Sequence, residues 1–162
     1  MSLRVLPTGT VPAGVHHTFN ESSLADVSLA MDGMAEAAYA EFEFELSFST
    51  AGNRVTRVDL IMWLTIDMPV WSRVDRSPQA EQDEWNRFMR ALRAHEDGHI
   101  AICRREAPKT YRKLTRSTPG LINGVLDRER VRIRTLNEAY DHRTGHGTTQ
   151  RTPHGTTEIR LP

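Results

Sequence analysis

The sequence predicts an α+β fold, a small and mainly antiparallel sheet packed on two longer helices. Two patterns carry that expectation. Glu41 to Phe48 alternates strictly, putting Phe42, Phe44, Leu46 and Phe48 on one face of a strand. Two later segments instead repeat apolar residues at helical spacing: Trp85, Phe88, Met89, Leu92, Ile100 and Cys103, then Ile122, Val125, Leu126, Ile133, Leu136 and Tyr140. At 162 residues, with 38% hydrophobic and 26% charged residues, the chain suits one globular domain with one core.

Along the chain, residues 1 to 13 carry Pro7, Gly9 and Pro12 and read as an irregular lead-in. A single domain is expected over 14 to 150, with a turn-rich tail over 151 to 162. Val15 to Phe19 reads as a short strand, and Ser22 or Ser23 caps a short helix reaching about Ala30. After the alternating strand, Ser49 to Asn53 turns the chain. Arg54 to Asp67 then returns as the partner of an antiparallel hairpin. Ser77-Pro78, followed by Gln79, Glu81, Asp83 and Glu84, supplies an N-cap, a first-turn proline and negative charge for the first long helix. The second runs from Leu121 to Tyr140 and ends where Gly145 and Gly147 break it.

The first long helix carries His95-Glu96-Asp97-Gly98-His99, an H-E-x-x-H motif. Residues four apart share a helix face, so the two imidazoles can hold one tetrahedral cation. Glu96, one residue on, can take a proton from a zinc-bound water and return it to a leaving amine. At about 100° per residue, all three fall in the arc of Trp85, Leu92 and Cys103, away from Arg87, Arg90 and Asp97. Inward-facing polar groups need partners, and a metal satisfies all three more economically than a hydrogen-bond cluster. The extended H-E-x-x-H-x-x-G-x-x-H form is excluded, because Ile102 and Arg105 stand where it needs Gly and His.

Three segments together, Met68-Pro69-Val70-Trp71, His95 to His99, and Tyr140-Asp141-x-x-Thr144-x-His146-Gly147, resemble the predicted secreted bacterial zinc-dependent proteases, a family catalogued as a domain of unknown function. The resemblance covers roughly residues 14 to 150. It implies a zincin-like active-site helix, His146 as third zinc ligand beside His95 and His99, and a secreted or periplasmic location. Asp141 can fix the tautomer of a ligand imidazole, and Tyr140 can donate its hydroxyl to an oxyanion. The other reading of Tyr140 is a core aromatic closing the helix stripe.

Glu129 competes with His146, since a carboxylate on an apolar stripe needs a partner. It is either a ligand, a hydrogen-bond partner of a ligand histidine, or half of an ion pair with an arginine of the first long helix. Glu138 points away from the stripe, Glu106 shares the inward arc beyond His99, and His142, His154 and the pair His16-His17 read as surface residues.

The remaining features bound the function. No run is long enough to span a bilayer, and no cleavable signal is evident; Met1-Ser2-Leu3 fits either a replaced targeting segment or a native start. Lone Cys103 excludes an internal disulfide. Basic and acidic residues balance at 21 each, yet residues 104 to 134 hold ten basic and three acidic residues. No nucleic-acid motif accompanies them, so nucleic acid is not the expected partner. The expected function is therefore a zinc metallopeptidase acting on a peptide or protein, with Glu96 as general base. The alternative is a non-catalytic, zinc-stabilised domain that binds a partner through its basic helices.

Overall fold

The computed structural model describes residues 1–161. Strands β1 (Ser2–Leu6) and β2 (Ala13–Phe19) precede helix α1 (Leu24–Asp32). Strands β3 (Tyr39–Ala51) and β4 (Arg54–Trp71) follow, then a single 3-10 turn, α2 (Gln79–Leu114) and α3 (Ile122–Thr144).

The long hairpin forms as the alternation requires. Gly52, at φ 58°, takes the left-handed turn position, and β3 pairs antiparallel with β4 from Ala51 opposite Arg54 to Tyr39 opposite Asp67. The expectation of a mainly antiparallel sheet is corrected, because β1 and β2 both run parallel to β4. β1 lies against Asp59 to Trp63 and β2 against Ile66 to Trp71. Since β3 fills one edge of β4, both short strands lie end to end along the other. Side-chain alternation is the same for either strand direction, so pattern could not distinguish them. Direction follows from the connection: α1 and β3 together carry the chain back before β4 begins.

β1 also occupies the stretch expected to be irregular. Between Leu6, opposite Trp63, and Ala13, opposite Ile66, the chain has more residues than β4 and must loop out. Two arginines of α2 hold that loop: Arg93 donates to the Val11 carbonyl at 2.6 Å, and Arg104 to those of Pro7 and Gly9.

On the inner face of β4, Val58, Leu60, Met62, Leu64, Ile66 and Met68 are buried against Trp85, Phe88, Leu92, Ile100 and Cys103 of α2. Full burial of each large side chain is worth about 1.5–3 kcal/mol. α3 packs on α2 with Ile122, Leu126 and Ile133. α2 is therefore the central element, about 54 Å long at 1.5 Å per residue, lying between the sheet and α3. α3 runs one turn beyond the expected Tyr140, and Gly145 ends it in the left-handed conformation.

Candidate metal centre

The H-E-x-x-H residues lie in the buried middle of α2, with His95 and Glu96 each 3% exposed and His99 7%. Because α3 stays helical through Thr144, Asn137 and Asp141 stand one turn apart and face them. The Asp141 Oδ1 atom lies 3.1 Å from His95 Nε2 and 2.8 Å from His99 Nε2. The ligand atoms of His95, His99 and Asp141 all lie within 4.8 Å of one another. A tetrahedral ion with bonds of 2.0–2.2 Å spaces its ligand atoms by about 3.3–3.6 Å, so the carboxylate and the rings need part by only a few tenths of an ångström to admit one.

Hydrogen bonds on the far side of each ring decide what the near side offers. His99 Nδ1 lies 3.0 Å from Asn137 Oδ1, and the Asn137 amide group donates to the Ile133 carbonyl at 3.2 Å. His95 Nδ1 lies 2.9 Å from Gln150 Oε1. A carbonyl oxygen only accepts, so both Nδ1 atoms carry the hydrogen, and a neutral ring so held turns its Nε2 lone pair toward the Asp141 carboxylate. Burial lowers the His95 pKa, keeping the ring in the neutral form that ligates a metal. Two lone pairs and an anion converging on one spot could be satisfied together by a cation between them. The donor set, two imidazoles and one carboxylate, suits zinc.

Glu96 is the other unsatisfied group. Its Oε2 is buried without a hydrogen-bond partner. Burial first, then the carboxylates of Asp141 and Glu36, push its pKa up to about 8 against the opposing backbone amide of Ala40. It opens on a cavity of about 250 Å³ bounded by His95, His99, Asp141, the 34 to 40 stretch entering β3, His146 and Thr157.

Of the other residues singled out from the sequence, His146 and Tyr140 lie beside the cluster, while Glu129 and Glu106 lie away from it. His146 lines the same cavity but lies outside the three-residue cluster. His146 has φ 52°, and its amide returns to the Asp141 carbonyl just past the helix end. Tyr140 stacks on His95 with ring centroids 5.1 Å apart and planes at 14°, and meets the His99 ring edge-on. Its hydroxyl donates to Gln150 Oε1 at 2.9 Å, and Tyr140 is not among the cavity-lining residues.

Glu129 is partnered by Lys113, Arg132 and Thr110, none of them part of the cluster. Twelve helical residues separate it from Asp141, about 18 Å along the axis. Glu106 belongs to the same ion-pair network through Arg132, Lys109 and Arg105.

Sequence reasoning passed over Asn137, Gln150 and Thr157. Asn137 was legible as the residue one helical turn before Asp141. Gln150 and Thr157 lie in a polar tail without periodicity, which carried no signal.

Fold and cluster together define an α+β protein with a buried His-His-Asp group able to bind a metal ion. The chain belongs to the family described as "Bacterial protein of unknown function (DUF922)", whose model matches residues 16–147. Comparison with curated proteins and with solved structures finds no match in either.

Proposed function

We propose that this protein is a zinc-dependent hydrolase of peptide bonds, with the metal held by His95, His99 and Asp141. The observation that carries the reading is the convergence of two Nε2 lone pairs on Asp141 Oδ1 beside the unpartnered Oε2 of Glu96, on an accessible cavity. When bound, zinc lowers the pKa of a coordinated water and polarises a carbonyl oxygen. Glu96 accepts the proton of the attacking water and delivers it to the leaving amine. His146, on the cavity wall, is available either as a further ligand or as a hydrogen-bond donor to the substrate carbonyl oxygen.

A peptide is the favoured substrate class because β3 pairs with no strand but β4 among the described residues, so no strand covers its other edge where Tyr39 and Ala40 border the cavity; the Ala40 amide there faces Glu96, and further along the strand the Phe44 carbonyl accepts from Arg130. An extended chain can add to such an edge through main-chain hydrogen bonds. Secretion or periplasmic residence is the compartment the family resemblance suggests.

Metal analysis of protein purified without added zinc tests the centre. We expect close to one zinc per chain, lost in His95→Ala and in Asp141→Ala, and retained in Glu129→Ala. Retention in Asp141→Ala with loss in His146→Ala would transfer the third position to His146. Glu96→Gln should keep the metal and abolish cleavage of an unstructured protein substrate. A zinc-loaded wild type that cleaves no peptide would leave a structural metal site and remove the hydrolase.

A further inference from the structure

The match to the family model ends at residue 147, but the hydrogen bonding of the cluster continues past it. Gln150 Oε1 stands 2.9 Å from His95 Nδ1 and 2.9 Å from the Tyr140 hydroxyl. One amide oxygen therefore holds both the imidazole and the phenol ring stacked on it.

His99 receives the equivalent contact from Asn137, which is fixed by its helix. Gln150 has no helix behind it, and the segment around it is fastened by other means. The Gln150 amide returns to the Gly147 carbonyl at 3.2 Å, and that of Thr149 to the Thr144 carbonyl at 3.0 Å. Thr157 Oγ1 donates to the His146 carbonyl at 2.9 Å. Arg87, on α2 two turns before His95, donates to the carbonyls of His154 at 3.0 Å and Thr156 at 2.8 Å. The guanidinium thus ties the C-terminal segment to the helix that carries the cluster.

We infer that Gln150 is a positioning residue of the metal centre, holding His95 in the Nδ1–H tautomer so that Nε2 is the ligating nitrogen. It acts through His95, and its oxygen faces the side of the ring opposite Asp141. The inference rests on the metal-centre reading, but the tautomer is a property of the metal-free chain and can be read separately.

The test uses the full-length chain with ¹⁵N-labelled histidine. In the metal-free wild type, the His95 resonances should have the pattern of a neutral ring protonated on Nδ1; protonation on Nε2 instead would overturn the proposal without any variant. Gln150→Met, of similar size but without an acceptor oxygen, should lose that tautomer preference. Its zinc affinity should fall roughly 10–100-fold, the usual effect of removing such a partner. Gln150→Glu keeps an acceptor and should retain both the tautomer and the affinity. A Gln150→Met protein with wild-type tautomer and wild-type affinity refutes the role. If the wild type binds no divalent metal, the hydrolase reading falls, while the ring-nitrogen pattern still decides whether Gln150 sets the tautomer.

Discussion

Gly98 occupies one of the two unspecified positions of H-E-x-x-H, where nothing in the pattern asks for glycine. The packing does: a Cβ built there would stand 2.1 Å from the Tyr140 hydroxyl oxygen and 2.5 Å from Cζ. Glycine costs up to about 1 kcal/mol in a helix interior relative to alanine, and here that cost lets the Tyr140 ring reach the backbone between the two histidines. Gly98→Ala should therefore destabilise the protein by about 1–3 kcal/mol despite its better helix propensity, as overpacking does. Urea titration measures this, and an unchanged or raised midpoint would show that Tyr140 yields freely. Tyr140→Phe keeps the stack on His95 but removes the bond to Gln150. A loss of about 1 kcal/mol is expected by the same measurement. The first prediction concerns residues 42 positions apart and the second a helix residue and a loop residue 10 apart, and a local pattern encodes neither contact.

At the scale of elements, α2 and α3 are joined by charge as well as by Ile122, Leu126 and Ile133. Arg132 of α3 bridges Glu106 of α2, at 2.7 Å, and Glu129 of its own helix, at 2.8 Å; Lys109 and Lys113 complete the network. Burial alone raises the pKa of Glu106, but hydrogen bonds from Lys109, Arg132 and Arg105 outweigh it and bring the value down to about 2 from 4.5. A carboxylate depressed in the folded state contributes stability that is present above the unfolded value and lost as pH falls through the folded one. The contribution should fade between about pH 4.5 and 2. Unfolding midpoints followed over that window should fall for the wild type and fall less steeply for Glu106→Gln; parallel slopes would take Glu106 out of the acid response. From the sequence, Glu129 could have served the metal or an ion pair. The ion pair is what forms, through Lys113 of α2 and Arg132 of α3 itself rather than through an arginine of α2. The choice depends on which residues of α2 lie opposite, and spacing within α3 is silent about that.

For the whole molecule, β4 is the spine. Its 18 residues are hydrogen-bonded to β3 on one side and to β1 and β2 in succession on the other, with α2 covering the inner face. Amides of β4 between Asp59 and Asp67 should be the last to exchange with solvent, at the free energy of global unfolding, while those on the β3 edge that no strand covers exchange early. Hydrogen exchange in the metal-free protein checks this, and early exchange in β4 would contradict the arrangement of the sheet.

The residues alone determined the hairpin, the two long helices and the inward phase of His95, Glu96 and His99, because each follows from a repeat of two or of 3.6 residues within a continuous stretch. Tertiary structure decided the rest. Whether β1 and β2 run with or against β4 leaves no mark on alternation. Asp141 faces the imidazoles only because α3 continues one turn past Tyr140 and its axis brings Asn137 and Asp141 against α2. Gln150 reaches His95 because Arg87 and Thr157 fold the tail back. These are meetings of distant segments, set by how helices and sheet pack, and no local run of side chains specifies them.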